Sequence, residues 1–141
     1  GPPPLMPGAD AVVRAILRRE VPVAVASMSK RAWVEPTLDA IGMRDLFPLV
    51  VTHDEVSQPK PDPEIYLQAA SLLGVPPQAC IAVEDTKHGV ASAAAAGMWV
   101  VQLRQATIAA DPQPGAHVVI ESFREFDLGW LEGAWPGIRA G

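Results

Sequence analysis

The chain has 141 residues, 49% of them apolar and 19% charged, with a formal net charge of −5. That length fits one ordinary domain with a real core, and 15 prolines with 11 glycines stay below the share, roughly a quarter of a chain, that marks low-complexity disorder. An acidic balance without a basic stripe excludes the electrostatic footprint of a nucleic-acid binder, and the single Cys80 excludes a disulfide framework or a Cys-based zinc site within the chain.

Pro7-Gly8-Ala9-Asp10 opens the first element. Val12, Val13, Ile16 and Leu17 then recur at helical spacing, with Arg14, Arg18 and Arg19 on the other side. Val21 to Ala26 is a short apolar run, long enough for a buried strand and too short for a helix. Pro22 is tolerable near its start. Residues 31–41 are predicted to form a second helix, with Pro36 near its first turn and Gly42 as the stop. Phe47 to Thr52 reads as a strand, and His53 to Pro61 as a polar loop. Asp62 is the expected N-cap of a third helix, with Pro63 at its first position and Glu64 in its first turn. Ile65, Tyr66, Ala69, Leu72 and Leu73 give that helix an apolar face, and Gly74 ends it.

Cys80 to Val83 is the next strand, with Glu84 and Asp85 at its carboxyl end. Gly89 to Ala96 is a helix of small residues, stopped by Gly97. Trp99 to Leu103 and a short run from His117 to Ile120 are the last strands. Phe123, Phe126, Leu128, Trp130 and Leu131 make residues 121–141 a tail expected to pack on the core. Strands alternating with helices predict an α/β fold, a mostly parallel sheet with helices on both faces. All 141 residues are expected to form one domain.

The longest charge-free stretch, Gly89 to Leu103, is shorter than the roughly 20 residues of a membrane span and is interrupted by Gly97. Gly1-Pro2-Pro3-Pro4 carries no basic region followed by an apolar core. A cytoplasmic location with no membrane partner is the expectation.

In open parallel sheets the ligand sits outside the carboxyl ends of the strands. Ser27 lies at one such end, where a hydroxyl and free N–H groups can hold a phosphate oxygen. The alternative is that Ser27 and Ser29 cap the next helix. Lys60 stands in Gln58-Pro59-Lys60-Pro61-Asp62-Pro63, where prolines hold the backbone around one cation suited to neutralising phosphate charge. The alternative is a solvated loop lysine. Glu84 and Asp85 are adjacent carboxylates, costly unless neutralised by a hard cation such as Mg²⁺. The alternative is that Asp85 or Thr86 caps the next helix while Glu84 is solvated. His53 and His88 lack partners at metal-ligand spacing, and Cys80 reads as inert core.

The order of these signals is more specific than any one of them. A strand ending in Ser27 is followed by Lys60-Pro61-Asp62-Pro63-Glu64-Ile65-Tyr66, then Val83-Glu84-Asp85-Thr86 and a small-residue helix ending Ala96-Gly97-Met98. From Pro7 to Leu103 this resembles the haloacid dehalogenase-like (HAD) phosphohydrolases, most of all the branch containing β-phosphoglucomutase and small phosphosugar phosphatases. The resemblance implies a Rossmann-like core and a Mg²⁺-dependent phosphatase of a small phosphorylated metabolite, with a phosphosugar mutase as an alternative. It implies that Ser27 binds the transferring phosphoryl group and that Lys60 offsets its charge. Ser27, Met28, Ser29 and Lys30 resemble the mutase's phosphate-gripping segment. Asp85, with Glu84 directly or through water, would hold the metal.

One feature departs from the family. HAD phosphotransferases carry an Asp nucleophile in an Asp-x-Asp motif on a strand between the two that end here at Ser27 and Glu84. This chain has no Asp-x-Asp. Asp10, Asp39, Asp45, Asp54 and Asp111 stand in the wrong context, and the cap domain is absent. The fold is therefore expected to be incomplete, and the 141 residues inactive alone. They read as the C-terminal part of a longer enzyme, or as a degenerate member, with an N-terminal segment or second polypeptide supplying the strand. A non-catalytic phosphate- or metal-binding module is the competing class, in which Trp130 and Trp135, read as exposed, would serve a partner surface.

Overall fold

The computed structural model describes residues 8–47, 49–104 and 111–133. Helix α1 spans Ala9–Arg18. It is followed by strand β1, Ala24–Ala26, which pairs in parallel with β2, Leu49–Val51. Both strands are shorter than the apolar runs that contain them. Val21 N–H turns back to the Ile16 carbonyl at 3.4 Å, and Pro22 has no N–H to offer a ladder, so pairing starts only at Ala24.

Helix α2 spans Arg31–Ala40 and places Pro36 inside its second turn rather than its first. The bond to the Ala32 carbonyl is lost there. The helix survives because Val34 and Leu38 bury against Met43, Phe47 and Val50, and packing outweighs one missing bond.

Helix α3 spans Glu64–Leu73. Asp62 Oδ1 accepts from Glu64 N–H at 3.0 Å. The Glu64 carboxylate in turn accepts from the Ser57 and Gln58 amides at 2.8 and 3.0 Å, so the polar loop is held onto the helix that follows it. Gly74 closes α3 at φ 70°, a left-handed conformation that favours glycine.

Strand β3, Ile81–Glu84, leads into α4, Lys87–Ala95, which starts two residues before Gly89 because Thr86 caps it, accepting from Gly89 N–H at 3.0 Å. Strands β4, Trp99–Leu103, and β5, Val118–Ile120, complete a parallel three-stranded sheet in the order β3-β4-β5.

The architecture is α/β, with parallel pairing throughout and helices on the sheet faces, but the strands form two sheets instead of one. No described ladder joins β1–β2 to β3–β4–β5. The helices span the division. On α1, Val12 and Ile16 pack with the Trp99 cluster, and Val13 packs with the α2 cluster. Helix α3 buries Ile65, Tyr66 and Ala69 against Val51 of β2 and Ala82 of β3 together.

Trp130 is 7% exposed. It meets Trp99 and Phe126 edge-on, with ring centroids 5.1 and 4.9 Å apart. It is therefore a core residue and no partner surface, because an indole buries more area than any other side chain and the neighbouring rings take it. Trp135 lies outside the described residues. Among the described residues no helix is long and apolar enough to cross a membrane.

Candidate active site

The carboxyl ends of β1 and β3 lie on the same side of the molecule, and Lys60 joins them. Its ammonium donates to the Ala26 carbonyl at 3.4 Å and to Glu84 Oε2 at 2.6 Å. The side chains of Lys60 and Glu84 are 12% and 8% exposed, so this ion pair is largely shielded from water. Neither residue is solvated, which removes that alternative for both. The Lys60–Pro61 peptide is cis. Tyr66 on α3 donates its hydroxyl to the same Glu84 oxygen, and its ring lies 5.2 Å from Lys60 Nζ. Burial, reinforced by the negative charge of Glu84, raises the Tyr66 pKa far above its ordinary value, so the phenol stays protonated and remains a donor.

Gly89 explains how Glu84 fits. A Cβ at that position would overlap Glu84 Oε1. The first turn of α4 thus approaches the carboxylate as closely as only a glycine allows.

Ser27 follows Ala26 directly. Its hydroxyl accepts from the Ser29 amide at 3.1 Å, and its own N–H is used by the Val51 carbonyl at 2.9 Å. Neither serine caps α2. The first amide of that helix, at Arg31, donates instead to Asp54 Oδ2 at 3.3 Å. Met28 packs on the α3–α4 core. Ser29 and Lys30 are exposed. Asp85 is half-buried, and it lies near enough to Tyr66 for its charge to add to the shift of the phenol. Among the described residues its carboxylate has no hydrogen-bond or ion-pair partner. No group of three or more His, Cys, Asp or Glu side chains able to hold a metal occurs among the described residues. The structure thus brings Lys60 to Glu84 and to the end of β1 next to Ser27, with Asp85 adjacent to Glu84 in the chain, while the Met28 side chain packs inward and Ser29 and Lys30 are exposed.

A brace holds this mouth from behind. Arg31 donates to the Val50 carbonyl at 2.9 Å and pairs with Glu55 at 2.5 Å. Glu55 accepts in turn from the Thr52 amide at 2.8 Å, and His53 N–H donates to the Ser29 carbonyl at 3.2 Å. The bond to Arg31 lowers the Glu55 pKa. Sequence reasoning missed this brace, since nothing local links residues 24 positions apart. It also took Tyr66 for plain core, although a tyrosine on an apolar helix face carries a hydroxyl that needs a partner.

Residues 1–97 match the family described as haloacid dehalogenase-like hydrolase. The chain belongs to the haloacid dehalogenase-like hydrolases. Protein CbbY of Rhodobacter capsulatus is 39% identical over 100 residues, which cover 69% of this HAD-like chain and 44% of CbbY. The β-phosphoglucomutase of Bacillus subtilis is 30% identical over 138 residues, covering 98% of this chain and 58% of the mutase. The crystal structure of CbbY from Rhodobacter sphaeroides in complex with phosphate superposes with a TM-score of 0.83 at 30% identity, over 91% of this chain and 59% of that one. These relatives place the HAD-like chain in the β-phosphoglucomutase-like branch. It spans about half the length of the relatives it matches.

Proposed function

We propose that these residues form the phosphate- and metal-facing part of a phosphatase that acts on a small phosphorylated metabolite, a sugar phosphate by class. The observation that carries this reading is the Lys60 clamp, one shielded ammonium anchored to the ends of β1 and β3. The fructose-1-phosphate phosphatase YqaB of Escherichia coli, 40% identical over 83 residues, adds support for the substrate class.

Phosphoryl transfer asks a protein chiefly for positioning and charge neutralisation. Ser27 donates its hydroxyl to a phosphoryl oxygen, and Lys60 offsets the charge beside it. The phosphoryl group passes to a carboxylate outside these 141 residues. That carboxylate forms the new P–O bond as the sugar oxygen leaves, and water then takes the phosphoryl group. Mg²⁺ suits the donor set, because it binds through one or two carboxylates and completes its shell with water and phosphate oxygens. Asp85 offers a carboxylate without a competing partner. Glu84, already committed to Lys60 and Tyr66, would help to hold the metal directly or through water. Bound there, the cation supplies charge stabilisation to the transferring phosphoryl group.

The 141-residue chain alone is expected to bind inorganic phosphate weakly in the presence of Mg²⁺ and to hydrolyse no aryl phosphate above background. Calorimetric titration of wild type, Lys60→Met and Asp85→Ala tests this. Phosphate binding that ignores both substitutions overturns the site, and robust turnover by the chain overturns the outside carboxylate. The phosphosugar mutase differs only in the final acceptor, a sugar hydroxyl instead of water. The non-catalytic reading is favoured because, among the described residues, no third His, Cys, Asp or Glu groups with Glu84 and Asp85 to hold a metal. It predicts phosphate binding with no turnover even in a longer chain.

A further inference from the structure

Pro59, Pro61 and Pro63 have no N–H, so between residues 59 and 63 only Lys60 and Asp62 can donate from the backbone. A turn so poor in donors is anchored chiefly through its acceptors. Most of its ties are local. The Ser57 and Gln58 amides donate to the Glu64 carboxylate, Asp62 N–H donates to the Pro59 carbonyl at 3.0 Å, and Glu64 N–H donates to Asp62 Oδ1. All of these hold the turn to itself or to α3. Among the described residues, one hydrogen bond ties its backbone to any other element. The Ser92 hydroxyl on α4 donates to the Asp62 carbonyl at 2.7 Å, across 30 positions of chain.

A serine inside a helix ordinarily turns its hydroxyl out to water or back to the carbonyl four residues before it. Ser92 does neither, being fully buried with its hydroxyl committed outside the helix. Gly89 stands one turn earlier on the same face of α4, and it is the residue that lets the helix approach the Glu84 carboxylate. Ala93 and Ala96 continue that side of the helix into the core shared with α3. One side of α4 thus sets both partners of the Lys60–Glu84 pair. It seats Glu84 through the missing Cβ of Gly89, and it holds the Lys60 turn through the Ser92 hydroxyl.

We propose that Ser92 is a positioning residue for Lys60. A lysine ammonium rides on a flexible four-carbon stem, so it keeps one place only if the turn that carries it is held as well. Ser92 holds that turn at Asp62, two residues beyond Lys60, and the ammonium then reaches the Ala26 carbonyl and Glu84 together. The hold on Lys60 stands on this geometry alone, whereas its consequence for a bound phosphate rests on the phosphatase reading.

Hydrogen exchange of the Lys60 ammonium tests the hold. It is read from the side-chain nitrogen–proton NMR signal of the intact 141-residue chain, assigned by its loss in Lys60→Met. Ser92→Ala puts the best helix former in place and removes only the hydroxyl. It is expected to speed that exchange about threefold to tenfold, the span of one net hydrogen bond. Ser92→Cys, a weaker donor, should fall between Ser92→Ala and wild type. Val101→Ala, a truncation in the Trp99 cluster, should lower the urea midpoint and leave the ammonium exchange within about twofold of wild type. Inorganic phosphate with Mg²⁺ gives a second readout. Its dissociation constant should rise about threefold to tenfold with Ser92→Ala in the wild-type background, and should not change when the same substitution is made in Lys60→Met. Unchanged ammonium exchange in Ser92→Ala overturns the proposal. So does an equal rise in Val101→Ala, or a loss of phosphate affinity that persists in Lys60→Met. If Ser92→Ala does not fold, Ser92→Cys is held to the same limits. Faster ammonium exchange in a chain that binds no phosphate sustains the positioning role and counts against the phosphatase reading. Phosphate binding that needs Lys60 and ignores Ser92, with ammonium exchange unchanged, does the reverse.

Discussion

The two sheets are made of the same kind of residue and end up in different environments. In β4, Trp99 to Leu103 are all buried, at 2% exposure or less for Val100, Val101 and Leu103. In β1, Ala24, Val25 and Ala26 are all half-buried. The difference lies in their neighbours. β4 has a strand on each side, a small-residue helix on one face and the Phe126–Trp130 cluster on the other. β1 has a strand on one side and, on the other, an apolar cavity of about 450 Å³ that β3 also lines. Local apolarity makes a strand, but its neighbours decide how far it is sealed. The proposed site residues Ser27, Glu84 and Asp85 sit at the carboxyl ends of β1 and β3, each of which has, among the described residues, a strand on one side only.

The Lys60–Glu84 pair tests the link between the sheets most severely. Glu84→Ala is expected to cost about 3–5 kcal/mol in urea unfolding, because it leaves a shielded ammonium without its carboxylate. The double variant Lys60→Met with Glu84→Leu should recover much of that. A loss below about 1 kcal/mol for Glu84→Ala would mean that the clamp does not hold the sheets together. Matched truncations then compare the sheets directly. Val101→Ala removes fully buried methyl groups and should cost about 2–3 kcal/mol. Val25→Ala should cost under about 1 kcal/mol, and equal losses would break the comparison. Gly89→Ala forces a Cβ into the Glu84 carboxylate and should cost about 1–3 kcal/mol, together with a weaker response to Lys60→Met.

The smallest effect belongs to the brace behind β2. Glu55 has a lowered pKa in the folded chain because Arg31 donates to it. Its contribution is therefore present above the ordinary carboxylate range and lost as pH falls through the folded value. Both side chains are about a third exposed, 35% and 34%, so solvent screening holds the effect below about 1 kcal/mol. Wild type and Glu55→Gln should differ slightly in urea midpoint at pH 7 and coincide near pH 2. A difference that persists in acid would point to packing instead of charge.

Much of this fold is legible in the chain's local chemistry. Asp62 beside Pro63 marks the start of α3 in the sequence, and its carboxylate does accept from Glu64. The alternation of short apolar runs with helical patterns announces a parallel α/β architecture, since each pattern reports how its own few residues meet the core. Boundaries were less legible. Pro36 sits a turn deeper than its helix-starting preference implies, because burial of Val34 and Leu38 extends the helix across it. Trp130 reads as an exposed tail aromatic only until Trp99 and Phe126 are placed around it.

By itself, the sequence determined the order of elements and pointed to Ser27, Glu84 and Asp85 at strand ends and to Lys60 in the proline-rich loop, because strand periodicity and turn chemistry are local properties. Tertiary structure alone decided that Lys60 grips both strand ends, that Tyr66 and Gly89 shape the seat of Glu84, and that β1 and β3 face each other across an apolar cavity. Apart from that of Gly89, those contacts join residues 18 or more positions apart. The packing of α1 and α3 across both sheets, together with the Lys60 clamp, sets the distance between them.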